Sequence, residues 1–180
     1  SQGKVYTPKD AEKEMRMKAE LGAAGDPEEC LSLARCYFYG KQGFPVNEKY
    51  AFQYCETAVK YQIEGSYDLQ GEMFEHGISK NTVNHSKPLT SEAIEAYRKA
   101  ATCHHSINAM VRLVKLLNDQ DDDDERIRYM KAAAYANHPE GLYLYAQALQ
   151  FGLYGIKPNI GKANQFLQIA CTLDHVDSLL

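Results

Sequence analysis

The sequence predicts an all-α solenoid, a row of antiparallel helix hairpins. Two observations carry this: the chain repeats itself, and its apolar residues recur at helical spacing and never at strand spacing. Asp26-Pro27-Glu28-Glu29-Cys30-Leu31-Ser32-Leu33-Ala34, followed by Gly40, Gly43, Asn47 and Ala51, returns as His138-Pro139-Glu140-Gly141-Leu142-Tyr143-Leu144-Tyr145-Ala146, followed by Gly152, Gly155, Asn159 and Ala163 without a gap. Self-similarity over tens of residues marks a repeat architecture, in which each unit buries one face on its neighbours and leaves another free.

The second helix of each unit carries a stripe of small and bulky residues. Ala58, Ala100, Ala132 and Ala170 mark it, with Ala51, Ala93 and Ala163 two turns upstream and Glu125 in that place in the third copy. Cys55, Tyr97, Tyr129 and Leu167 lie between them. Positions i, i+4 and i+7 share a helical face, so the pattern reads as an apolar stripe of period 3.6. Small residues along it let neighbouring helices approach closely.

The first helices carry a small residue six positions before a glycine, with an apolar residue between: Ala34-Tyr37-Gly40, Gly71-Phe74-Gly77 and Ala146-Leu149-Gly152. The glycine suits a helix C-terminus, where the chain turns through positive φ. Asp26-Pro27 and His138-Pro139 read as helix starts, with proline at the first helical position. Asn47, Thr90 or Ser91, and Asn159 are expected caps of the second helices. A leading helix is expected over about 8–24, then hairpins at about 27–61, 64–104, 106–136 and 139–173. The third is the most divergent, because Asp119-Gln120-Asp121-Asp122-Asp123-Asp124-Glu125 replaces its glycine loop. The polar insertion 79–89 is expected to be a loop, either a functional excursion or tolerated surface. The ending His175–Leu180 resembles the first turn of a fifth unit, so 1–180 reads as a single repeat domain cut from a longer array.

The pattern small-x-x-Tyr/Phe/Leu-x-x-Gly, a glycine-containing loop, Lys/Tyr-Ala and a closing alanine resembles the Sel-one-like repeat family, relatives of the tetratricopeptide repeats. The resemblance covers nearly the whole chain from about Met15. It implies a right-handed superhelix of antiparallel helix pairs with the first helices lining a concave face. It also implies a non-catalytic adaptor or scaffold for protein–protein interaction; the alternative is a regulatory or scaffolding repeat tail of a larger enzyme. Some members of the family staple neighbouring helices through cysteines placed like Cys30 and Cys171. The partners would fall near Gly22 and Ser178, and neither is cysteine.

Composition narrows the partners. The net charge is −4, and no basic run interleaved with aromatics is present, which argues against nucleic acid. No apolar stretch approaches the ~18 residues that span a bilayer, so no membrane insertion is expected. The five cysteines lack a staple ladder and read as buried thiols of a reducing, cytoplasmic compartment. Asn84-His85-Ser86 fits a glycosylation acceptor and keeps a secretory-pathway lumen open as the alternative.

Catalytic and cofactor motifs find no carrier. Gly155–Ala163 resembles a phosphate loop, but its glycines are one residue too far apart and Ala163 stands where a hydroxyl would hold magnesium. The 119–125 run lacks the alternation and glycine of a calcium loop; it reads as a solvated cap of the next helix, with weak cation binding or docking of a basic partner as the other readings. Cys103-His104-His105 splay around a helix instead of converging. No nucleophile–base pair is visible, and no metal, cofactor or small-molecule substrate is expected.

A partner surface is legible instead. On the first helix of unit one, Cys30, Leu33, Ala34 and Tyr37 share one side, while Ser32, Arg35 and Tyr39 share the other. The matching positions are Glu72 and His76, then Lys115, then Gln147 and Phe151. Arginine and tyrosine are common interface anchors. The expectation is a protein or peptide segment held by Arg35, Tyr39, Glu72, His76, Lys115, Gln147 and Phe151.

Overall fold

A computed structural model of the chain describes residues 7–118 and 122–177. The described residues form helices: α1 (Pro8–Ala23), α2 (Pro27–Tyr39), α3 (Glu48–Lys60), α4 (Ser66–Glu75), α5 (Thr90–His104), α6 (Ile107–Leu116), α7 (Asp123–Tyr135), α8 (Pro139–Phe151) and α9 (Ile160–Asp177). The fold is the expected all-α repeat array. The chain divides into two compact units, 1–96 and 97–180, with the boundary inside α5.

The caps set the element boundaries. The Asp26 carboxylate accepts from Glu28 N at 2.9 Å, His138 Nδ1 from Gly141 N at 3.3 Å, Asn47 Oδ1 from Tyr50 N at 3.1 Å and Asn159 Oδ1 from Lys162 N at 2.9 Å. Each pairs an amide that the first turn of a helix leaves orphaned. Gly40 and Gly152 close α2 and α8 at φ 65° and 66°, in the left-handed region. Thr90 is itself the first residue of α5, so Ser91 lies inside the helix and caps nothing.

In the first unit α1, α2, α3 and α4 pack in sequence around one core. Tyr37 is its aromatic centre, with ring centroids 5.1 Å from Phe44, 5.5 Å from Tyr50 and 6.1 Å from Tyr54. Its hydroxyl reaches the Glu20 carboxylate on α1, the polar escape a buried tyrosine needs. Burial first, and then that hydrogen bond to a carboxylate, push the phenol's pKa upward.

The insertion 79–89 is a mostly exposed loop, with Val83 packed half-buried against this core. Ile78 is fully buried and pairs with Val83 in an isolated antiparallel bridge. Asn84 N donates to Gly77 O at 3.0 Å and Leu89 N to Phe74 O at 2.8 Å, tying the middle of the insertion to the turn after α4 and its end to α4 itself. Asn84 itself is exposed, its Oδ1 accepting from Ser86 N at 3.1 Å.

In the second unit α6, α7, α8 and α9 pack in sequence. Its α7 corrects the expected register by one residue. Asp122 caps the helix, accepting from Asp124 N at 2.9 Å and Glu125 N at 3.3 Å. Counted from that cap, the positions of Ala51, Cys55 and Ala58 fall on Arg126, Met130 and Ala133, not on Glu125, Tyr129 and Ala132. Burial agrees, because Ala133 is fully buried and Ala132 only partly so. A run of aspartates offers several equivalent caps, and sequence alone cannot choose among them. Asp119, Gln120 and Asp121 lie outside the described residues, as do Ser178, Leu179 and Leu180.

A second correction concerns the cysteines. All five are free, but only Cys30, Cys36 and Cys55 are buried; Cys103 and Cys171 are exposed. Cys30 Sγ lies 2.9 Å from Ala23 O and Cys55 Sγ 3.4 Å from Ser66 O. Burial, reinforced by Glu56, pushes the Cys55 thiol up to about 12 from an ordinary 9.0. The folded chain therefore holds a proton that the unfolded chain releases, and stability should fall as pH climbs from about 9 toward 12. Near neutral pH, a thiol reagent should titrate Cys103 and Cys171 quickly and reach the other three only on unfolding. More than two fast equivalents would contradict the packing.

Candidate functional site

Each unit presents an exposed bank of side chains on its first-type helices. In the first unit α2 buries Cys30, Leu33, Ala34 and Tyr37, so its 3.6-residue period turns Ser32, Arg35 and Tyr39 outward. Glu72 on α4 and His76, the residue that ends it, stand beside them. Tyr39 Oη donates to Glu72 Oε2 at 2.6 Å, and the His76 ring meets the Phe38 ring edge-on at 5.6 Å. His76 Nδ1 lies 2.8 Å from Glu72 O, and Lys41 Nζ sits 4.7 Å above the Tyr39 ring. Three expected site residues, Tyr39, Glu72 and His76, thus form one patch joined by hydrogen bonds.

Arg35 crosses from α2 to the start of α4. Gly65, at φ 84°, leaves room for it: a Cβ there would lie 2.6 Å from the guanidinium. Beside Arg35 runs an open groove of about 500 Å³, lined by Leu31 and Ile63 along its apolar side and by Glu28, Ser32, Gln62 and Glu64 as polar groups. Gln62, Ile63 and Glu64 come from the α3–α4 turn, where Gln62 adopts φ 55°. Sequence reasoning missed them, because turn residues carry no periodic signal.

In the second unit the bank is α6 and α8. Lys115 Nζ pairs with Glu140 Oε1 at 2.6 Å, and Asn108 Oδ1 lies 3.0 Å from His138 Nε2. Tyr143, Gln147 and Phe151 follow one another at four-residue intervals along α8. Gln147 Nε2 donates to Tyr143 Oη at 3.0 Å, while Tyr143 and Phe151 stand 52% and 64% exposed. Tyr143 escaped the sequence reading although its spacing from Gln147 and Phe151 marks it.

The two banks differ in chemistry. The first offers a guanidinium, carboxylates, an imidazole and a phenol; the second offers two aromatic rings flanking a carboxamide. These are groups that bind by hydrogen bond, ion pair and apolar contact. Among the described residues no three histidine, cysteine, aspartate or glutamate side chains gather as metal ligands, and no helix is long and apolar enough to cross a membrane.

The family model of the Sel1 repeat matches residues 30–60 and 139–175. Two segments of this chain thus match the Sel1 repeat. Those spans cover most of α2–α3 and α8–α9, the two hairpins whose glycine loops are intact. Among solved structures, the chain is similar to a Sel1 repeat protein from Oxalobacter formigenes, with TM-score 0.67 and 22% identity over 83% of this chain and 59% of that one. It is also similar to a protective antigen present in uropathogenic Escherichia coli strains that displays an SLR fold, with TM-score 0.70 and 16% identity over 84% of this chain and 32% of that one. This chain therefore spans less than two thirds of either neighbour. Comparison with curated protein sequences gives no match. Sel1 repeats generally serve as protein-interaction scaffolds, and the fold is typically a non-catalytic module.

Proposed function

We propose that this chain is a non-catalytic scaffold that holds a segment of a partner protein on the exposed side of its first-type helices. The observation that carries the reading is the pair Arg35 and Tyr39. They stand one turn apart on α2, both exposed, with the groove at one end and the Glu72–His76 edge beside them. A long planar cation and a phenol in such a setting are characteristic anchors, and each costs about 1–2 kcal/mol or more of binding when truncated. Lys115, Gln147 and Phe151, joined by Tyr143, play the corresponding part in the second unit.

The test is a pair of affinity captures from the source cell, with wild type and the Arg35→Ala/Tyr39→Ala double variant as baits. Titration calorimetry on the partner retained only by wild type follows. The double variant should bind that partner at least about tenfold more weakly while its helical circular dichroism and melting curve stay close to wild type. Undiminished binding would place the contact elsewhere.

A further inference from the structure

The two units build the same junction and complete it differently. Counted from the caps Asp26 and Ser106, Glu28 of α2 matches Asn108 of α6, Leu31 matches Val111 and Arg35 matches Lys115. The caps Asn47 and Asp122 align α3 with α7, so in the turns that follow Ile63 matches His138 and Gly65 matches Glu140. The backbone agrees with that register. Ile63 N donates to Ala58 O at 3.1 Å and His138 N to Ala133 O at 3.0 Å, while Gln62 and Asn137 both take positive φ, 55° and 57°.

In the second unit two side-chain bonds cross this junction. Lys115 Nζ pairs with Glu140 Oε1 at 2.6 Å, and Asn108 Oδ1 lies 3.0 Å from His138 Nε2. In the first unit both are missing. The Ile63 side chain offers Glu28 no polar atom, and Gly65 offers Arg35 no carboxylate. Among the described residues the Arg35 guanidinium makes no ion pair and no hydrogen bond. It lies where a side chain at 65 would begin, 2.6 Å from the would-be Cβ, and it borders the groove that Leu31 and Ile63 line. The walls of that groove, α2 and the α3–α4 turn, are both internal to the first unit.

The cross-link present in one copy identifies the group absent from the other. A guanidinium pairs best with a planar carboxylate, which it can grip through two parallel hydrogen bonds. Leu31 and Ile63 supply an apolar seat beside it. Glu28 and Glu64 stand on the same groove, Glu28 two turns of α2 from Arg35, about 10 Å along the axis. Their charge favours a single acid at the Arg35 end and disfavours an acidic run.

We propose that this groove takes one aspartate or glutamate side chain of the partner segment on Arg35, with an apolar neighbour of that residue on Leu31 and Ile63. The inference rests on the first-type helices being the partner surface and adds the class of residue recognised there.

The probe is a library of short random peptides displayed on phage and selected on the whole chain. Wild type should enrich peptides that carry one acidic residue at a fixed distance from an apolar one, and Arg35→Glu should enrich a basic residue in that place. Selected peptides are then synthesised with an amidated end, so that side chains supply their only carboxylates. Replacing the acid by its amide should weaken binding to wild type at least about tenfold. The same replacement should change nothing against Arg35→Gln, which binds the parent peptide more weakly by a similar factor. Arg35 is exposed, so the circular dichroism and melting of these variants should match wild type. Peptides that lose affinity with Tyr39→Ala but carry no acid, or that bind Arg35→Gln as tightly as wild type, overturn the carboxylate and leave the partner surface standing. Peptides indifferent to Arg35 and Tyr39 alike, or no enrichment at all, overturn both.

Discussion

Gly77→Ala should destabilise the protein by roughly 2–5 kcal/mol. Two costs add at this position. The backbone sits at φ 73°, where a Cβ meets its own carbonyl and costs about 1–2 kcal/mol. The Cβ would also fall 1.9 Å from Asn84 O and 2.9 Å from Lys87 O, both backbone atoms of the insertion. The loop must retreat, and the Asn84 N to Gly77 O hydrogen bond and the Ile78–Val83 bridge retreat with it. Overpacking of this kind adds about 1–3 kcal/mol. Gly155 supplies the control, for it has φ 77° and nothing within 4 Å of its would-be Cβ. Gly155→Ala should therefore cost only the backbone share, about 1–2 kcal/mol. Urea denaturation of both variants, followed by circular dichroism, measures the difference. Equal losses would mean that the insertion is not seated against Gly77.

Much of this fold is legible in the sequence because its signals are local. Pro27 and Pro139 mark helix starts, Asn47 and Asn159 mark caps, and Gly40 and Gly152 mark ends; each acts through its own backbone within one turn. The third hairpin loses those signals. Its acidic run offers several residues that can cap, so the choice of Asp122 depends on which register buries Met130 and Ala133, and that is decided by α6 and α8. The insertion is the exposed loop that its polar composition predicts; only its anchoring, Val83 paired with the buried Ile78 just before it, escapes the pattern, because two apolar residues have no period to display.

The candidate site divides in the same way. Arg35, Tyr39, Gln147 and Phe151 can be found because a helix that buries one face must expose the other. Pairings across helices cannot be found so, and the structure adds them: Tyr39 with Glu72, Lys115 with Glu140, Gln62 and Glu64 brought beside Arg35 by a turn. Tyr39, Lys115 and Gln147 are therefore members of hydrogen-bonded pairs and not single anchors. A partner must compete with or extend those bonds, which favours a segment that supplies its own donors and acceptors over a purely apolar one.

The second large effect is expected at Arg126. Its position holds a buried alanine in the other three hairpins, Ala51, Ala93 and Ala163, yet Arg126 is only 2% exposed. Its guanidinium donates to Asn118 O, lies 3.5 Å from Asp123 Oδ1 and stacks 4.4 Å from the Tyr154 ring centroid, while Nε has no hydrogen-bond partner. The side chain fills space and staples Asn118, the start of α7 and Tyr154 together. Asp123 contributes little, being half exposed and therefore screened. Arg126→Ala should cost about 2–4 kcal/mol through the cavity and the lost ring contact. Arg126→Met fills nearly the same volume and removes a charge that one nitrogen leaves unsatisfied, so it should stay within about 1.5 kcal/mol of wild type. If methionine proves as damaging as alanine, then the charge and its hydrogen bonds hold this hairpin, and volume does not. Thermal and urea denaturation of the two variants side by side decide between packing and polarity at the one place where the repeat departs from its own rule.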